Sequence, residues 1–144
     1  MALILIVDDE QIVRQLLTRM LQGRGHDLLE ADSAEAALKV METQQAGVVF
    51  SDVQMPGHDG LWLTAEVRKR YPTTAVILAT GVSTIAPSVS MQSGVLAYIV
   101  KPFSRQAVID ALAEGLAWHE ATVANGPAPA DTLDKLQHWL DSLE

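Results

Sequence analysis

Leu3-Ile4-Leu5-Ile6-Val7-Asp8-Asp9-Glu10 opens with five apolar residues that stop abruptly at three carboxylates. A strand with one wet face alternates apolar and polar side chains; this run does not, as expected when both faces are covered. The pattern recurs along the chain. Residues 47–51 run into Asp52, residues 75–79 into Thr80 and residues 97–100 into Lys101, while residues 27–31 form a more polar fifth run. Between the runs the apolar period becomes helical. Ile12, Leu16 and Met20 with Val13, Leu17 and Leu21 make one broad stripe, and Ala37, Val40 and Met41 make another behind Ser33, a candidate N-cap. Residues 61–71 give a third, stopped by Pro72, and Ser104 is placed to cap a last helix in which Val108, Ile109, Leu112, Leu116 and Trp118 face inward. Residues 81–94 are rich in serine and β-branched side chains and carry Pro87, so they predict a helix of barely two turns. Strand–helix alternation repeated five times predicts an open, doubly wound α/β sheet with right-handed crossovers and five flanking helices.

Composition narrows the function. The chain has 144 residues, a one-domain length, with 10 Lys plus Arg against 18 Asp plus Glu and a formal net charge of −8. Cysteine is absent, which removes disulfides, thiolate nucleophiles and Cys-ligated metal sites. The carboxylate surplus argues against a phosphate-backbone binder, so no direct nucleic-acid contact is expected. The apolar residues lie in short runs, none near the ~20 of a membrane span, and the N-terminus lacks the basic region of a signal peptide. The sequence therefore reads as a soluble cytoplasmic protein that makes no membrane contact. Composition changes after about Glu120. The reading divides the chain into a main domain at 1–122, a Pro- and Gly-bearing linker at 123–130, and a short amphipathic helix at 131–144 with Leu133, Leu136, Leu140 and Leu143 on one face.

In an open α/β sheet, ligands bind beyond the carboxyl ends of the strands. Here those ends carry Asp8, Asp9, Asp52, Thr80 and Lys101. One aspartate after a strand is ordinarily a cap or turn former; polar residues at successive strand ends are a different matter. Carboxylates so grouped repel unless a cation sits among them, and oxygen donors without His or Cys suit a hard ion such as Mg²⁺. An aspartate beside Mg²⁺, an ammonium and a hydroxyl is equipped to attack phosphorus, with the cations neutralising the phosphoryl oxygens.

The runs Leu5-Ile6-Val7-Asp8-Asp9-Glu10, Ser51-Asp52-Val53-Gln54-Met55-Pro56-Gly57-His58-Asp59-Gly60, Thr80-Gly81 and Val100-Lys101-Pro102-Phe103 resemble, in order and spacing, the receiver domain of two-component response regulators. The likeness covers residues 1 to about 120. It implies a flavodoxin-like sheet of order 2-1-3-4-5 and phosphoryl transfer to Asp52 from a histidine kinase or a histidine phosphotransfer protein. It further implies Mg²⁺ held by Asp9, Asp52 and the backbone carbonyl of Gln54, with Asp8 acting through water. Lys101 pairs with the phosphoryl group, Thr80 is the switch hydroxyl, Tyr98 the switch aromatic, and the peptide before Pro102 is cis. The implied output is a changed contact with a downstream protein effector or a homodimer partner. Such a domain catalyses its own phosphorylation and dephosphorylation and is otherwise not an enzyme. Gln54 and Val82 stand at the two positions that tune phosphoryl lifetime in the family.

Other readings fit less well. A flavodoxin-like cofactor carrier needs a hydroxyl-rich phosphate loop where this chain has Asp8-Asp9-Glu10. A haloacid-dehalogenase-type phosphatase needs a second Asp two residues after the nucleophile, where this chain has Gln54. A receiver-like interaction module without phosphorylation is the principal alternative. The scattered His26, His58, His119 and His138, and Trp62, read as packing or surface residues, and Trp118 and Trp139 as core or docking residues.

Overall fold

The computed structural model describes residues 2–80, 96–101 and 103–125. Their elements run β1 (Leu3–Val7), α1 (Gln11–Leu21), β2 (Asp27–Ala31), α2 (Ala34–Thr43), β3 (Val48–Ser51), α3 (Gly60–Arg70), β4 (Ala75–Thr80), β5 (Ala97–Val100) and α4 (Arg105–Asn125). The five strands form one parallel sheet in the order β2-β1-β3-β4-β5. The predicted sheet is therefore observed, with four helices among the described residues. The helix expected at 81–94, the peptide before Pro102 and the helix expected at 131–144 lie outside them.

The unbroken apolar runs have the predicted cause. Alternate residues of each central strand enter opposite cores. Ile4, Ile6, Val48, Phe50 and Ile77 pack under α1 and α4 with Leu17, Leu21, Val108 and Leu112. Leu5, Val7, Val49 and Val76 pack under α2 and α3 with Ala37, Met41, Leu63 and Val67. Both sets are removed from water, the main source of the fold's stability. β2 and β5, at the sheet edges, are only partly covered.

The predicted caps form. Ser33 Oγ accepts the Ala36 amide at 3.0 Å and Ser104 Oγ accepts the Ala107 amide at 3.0 Å. Asp59 caps α3, accepting from the Trp62 amide at 2.8 Å. Two sequence readings change. The stripe on α1 is narrower than expected: Leu17 and Leu21 are buried and Val13 and Met20 pack beside them, but Ile12 is 79% and Leu16 43% exposed. A helix lying on a sheet covers roughly one face, and Ile12 and Leu16 are turned about 100° from the residues that meet it. The last helix also continues to Asn125, past residue 122. It is tied down near its end, where His119 Nδ1 lies 2.6 Å from the Thr73 carbonyl.

Candidate functional site

Because every strand is parallel, their carboxyl ends share one edge of the sheet. β1 and β3 are neighbours, so Asp8 and Asp52, each the residue just after its strand, come side by side. Both are almost wholly buried, at 1% and 6% exposure. Lys101 follows β5 and reaches across the edge, placing Nζ 3.1 Å from Asp8 Oδ2 and 3.4 Å from Asp52 Oδ2. Thr80 closes β4 opposite Val100. Tyr98 on β5 pairs in register with Leu78 and packs on the cluster of Val53, Leu78 and Leu61.

The two aspartates are differently engaged. Asp8 Oδ1 accepts the Glu10 amide at 2.9 Å while Oδ2 receives Lys101. For Asp52, Oδ2 receives Lys101 and, among the described residues, Oδ1 receives nothing. Its backbone carbonyl is held instead, accepting from Ser51 Oγ at 2.9 Å. Behind that carbonyl the chain returns at Gly60, whose amide donates to Val53 at 2.8 Å and whose own carbonyl accepts from the buried Thr64 Oγ1 at 2.7 Å. A side chain at residue 60 would collide with the Asp52 carbonyl, so this approach demands glycine. Gly57, at φ +80°, turns the loop above it. Residues Val53, Gln54, Met55, Pro56, Gly57, Asp59 and Leu61 line an open cleft of about 600 Å³ beside Asp52.

Electrostatics follow from the burial. Desolvation, with the Asp52 charge adding to it, raises the Asp8 carboxyl above its ordinary value despite the Glu10 amide and Lys101. Burial alone would lower the Lys101 ammonium, but its hydrogen bonds and charge contacts with Asp8 and Asp52 prevail and hold it above the usual lysine range. Lys101 is therefore a fixed cation at neutral pH.

Asp8, Asp52 and Lys101 thus meet as the sequence suggests. Asp9 and Gln54 are exposed at the rim. The third carboxylate within 4.8 Å of the others belongs to Glu10, which the sequence reading quoted but gave no role. Only the place where α1 begins decides which residue of this turn faces inward, and three consecutive acids give no signal of it. The donor set is all carboxylate oxygen, the chemistry a small hard cation such as Mg²⁺ requires. Among the described residues no helix is long and apolar enough to cross a membrane.

Comparison with known proteins agrees with this geometry. A family model described as response regulator receiver domain matches residues 4–113. The response regulator protein FleR of Pseudomonas aeruginosa is 40% identical over 113 residues, 78% of this chain and 24% of that protein. The DNA-binding transcriptional regulator NtrC of Klebsiella pneumoniae is 37% identical over 99 residues, 68% of this chain and 21% of that protein. The chain thus spans about a quarter of the length of these curated relatives. Among solved structures, the receiver domain of NtrX from Brucella abortus superposes with a TM-score of 0.74 at 32% identity, covering 79% of this chain and 98% of that one.

Proposed function

This chain belongs to the response regulator receiver family, whose members take a phosphoryl group on an aspartate in two-component signalling, and we propose that Asp52 is that aspartate here. The observation that carries the assignment is the unequal engagement of the two buried acids. Both oxygens of Asp8 are committed inside the protein, whereas Asp52 keeps one oxygen without a protein partner among the described residues. A nucleophile needs such an oxygen.

In the proposed step, that oxygen attacks the phosphorus of a phosphohistidine on a histidine kinase or phosphotransfer protein. The new bond is Asp52 O–P, the broken one is P–N, and the electron pair leaves with the imidazole nitrogen. Lys101, already charged and within reach of Asp52 Oδ2, pairs with a phosphoryl oxygen as negative charge moves onto the site. A Mg²⁺ ion bound here would supply further positive charge for the phosphoryl oxygens. We assign its protein contacts to Asp52, Asp9 and the Gln54 carbonyl. Asp8 acts through water, which suits a carboxylate whose oxygens already serve Glu10 and Lys101. Glu10 adds negative charge at the mouth of this site. The hydroxyl of Thr80 then donates to the phosphoryl group, and Tyr98 on the neighbouring strand senses the change. The output is a changed affinity for a protein effector or a second copy of the chain.

Incubation with Mg²⁺ and acetyl phosphate tests the assignment by intact mass. One phosphoryl group is expected on the wild type, and none on Asp52→Asn or in excess EDTA. A mass gain retained by Asp52→Asn would refute the choice of residue, and an unmodified wild type would favour the interaction-module reading.

A further inference from the structure

Arg14 lies in α1, yet its side chain runs back beneath the acidic turn. The helix has no side-chain cap at its amino end, where Glu10 is the cap residue. Helices ordinarily rely on such caps to satisfy their first amides. Here other contacts brace the turn. The Glu10 amide donates to Asp8 Oδ1, and Arg14 Nη1 donates to the backbone carbonyl of Asp8 at 2.6 Å. The same guanidinium is anchored on the neighbouring strand, with Nε donating to Glu30 Oε1 at 3.3 Å. The Arg14 side chain is 16% exposed and its bond to the Asp8 carbonyl is partly buried, whereas Glu30 is 42% exposed and its end of the bridge meets solvent. Arg14 thereby joins β2 to the peptide that connects Asp8 to Asp9.

We propose that Arg14 is a positioning residue for the divalent-cation site: by pinning the Asp8 carbonyl to Glu30, it fixes the orientation in which Asp8, Asp9 and Glu10 are presented. The proposal rests on the reading of this acidic edge as a Mg²⁺ site. Its physical basis is that rotation of a single peptide plane redirects both residues that follow it. Val7 lies in the sheet and Gln11 in the helix, and between them the Glu10 amide and carbonyl are bonded to Asp8 Oδ1 and the Arg14 amide, so Arg14 Nη1 supplies the hold on the plane between Asp8 and Asp9. The amide of Asp8 is already committed to the Ala31 carbonyl at 3.2 Å, which leaves its carbonyl to be held by Arg14. A guanidinium reaches two acceptors in fixed directions, which a lysine ammonium does not. The role therefore demands arginine rather than a positive charge alone.

Calorimetric titration of the full chain with MgCl₂ tests this, using Arg14→Gln, Arg14→Lys and Glu30→Gln. Loss of a residue that orients metal ligands weakens metal binding by about tenfold or more, the effect expected for Arg14→Gln. Arg14→Lys should fall between it and wild type, and Glu30→Gln should weaken Mg²⁺ binding in the same direction. Phosphorylation of Arg14→Gln by acetyl phosphate should need more Mg²⁺ but approach the wild-type rate once Mg²⁺ is saturating. A residue that merely supports the fold would instead lower the melting temperature and leave the Mg²⁺ affinity of the folded protein unchanged. That result overturns the proposal, as does Arg14→Lys binding Mg²⁺ like wild type; the lysine variant also decides the matter if Arg14→Gln does not fold. A wild type that neither binds Mg²⁺ nor accepts a phosphoryl group overturns the underlying functional reading, whereas a competent wild type with an indifferent Arg14→Gln overturns this proposal alone.

Discussion

Replacing Lys101 with methionine removes the only cation in contact with two buried carboxylates among the described residues while keeping most of the side chain's bulk. The distances of 3.1 and 3.4 Å correspond to about 5 kcal/mol of attraction each at an effective dielectric constant of about 20. Most of that is offset by the desolvation of the ammonium and of Asp8. Removing one partner of a buried pair typically destabilises by about 3–5 kcal/mol. The lysine side chain is 20% exposed, so the lower end, about 3 kcal/mol, is expected at neutral pH. For a chain of this length that is a fall of roughly 10 °C in melting temperature. The pH dependence identifies the cause. The Lys101 pKa is raised in the folded state, so its contribution is complete below the unfolded lysine value of 10.5 and is lost as pH rises through the folded value. The Asp8 pKa is also raised, by burial first of all, so Asp8 loses its charge on acidification before pH reaches the ordinary aspartate value of 3.8. The difference between wild type and Lys101→Met should therefore be largest near neutrality and shrink as pH falls toward about 4. Urea unfolding in EDTA across this range measures it. A penalty that is absent at pH 7, or that grows on acidification, refutes the account of Lys101 as the counter-ion of this edge.

The remaining predictions concern the switch and the floor of the site. Thr80→Ala should still be phosphorylated, because nucleophile, ammonium and acidic cluster remain. It should lose the coupling between phosphorylation and partner affinity, a term typically worth about 1–3 kcal/mol, measured by titrating partner against both forms. Gly60→Ala should destabilise by about 1–3 kcal/mol in chemical denaturation, since its methyl group must displace the Asp52 carbonyl, and should slow phosphorylation of the folded fraction.

The strand ends were legible because parallel topology converts sequence position into spatial position. A residue just after a buried parallel strand stands at the active edge wherever it lies in the chain. This carried Asp8, Asp52 and Lys101 into contact across separations of up to 93 residues. What happens inside a turn is not encoded that way. Asp9 and Glu10 are chemically equivalent in sequence, and their difference in placement arises from a backbone path set by contacts elsewhere. The Arg14–Glu30 bridge joins residues 16 apart with no motif to announce it. The exposure of Ile12 and Leu16 was likewise hidden, since apolar spacing marks a possible helix face but not how much of it a sheet covers. The end of α4 was not marked in the sequence because the change after Glu120 into an Ala- and Pro-bearing stretch does not say where a helix stops, while His119 fastens that region to the Thr73 carbonyl.

The division of this edge between rigid and yielding parts bears on how a charge change could be transmitted. Asp8 and Asp52 are attached to β1 and β3, strands whose side chains are almost entirely buried and which are hydrogen-bonded on both sides. Lys101 is attached to β5, which among the described residues has a strand neighbour on one side only, is nowhere fully buried, and ends in Val100 at 41% exposure. Elements with fewer buried contacts open and shift at lower free energy than central strands. If Asp52 takes the phosphoryl group as proposed, it and Asp8 sit on the better-buried strands, and the ammonium with its strand is the part expected to adjust. Tyr98 lies on that same strand, three residues before Lys101, packed on Val53, which directly follows Asp52. On the proposed assignment, a displacement of β5 would reach the aromatic ring through the backbone that bears the lysine and through the side chain next to Asp52. Coupling by this route requires no long chain of intermediates.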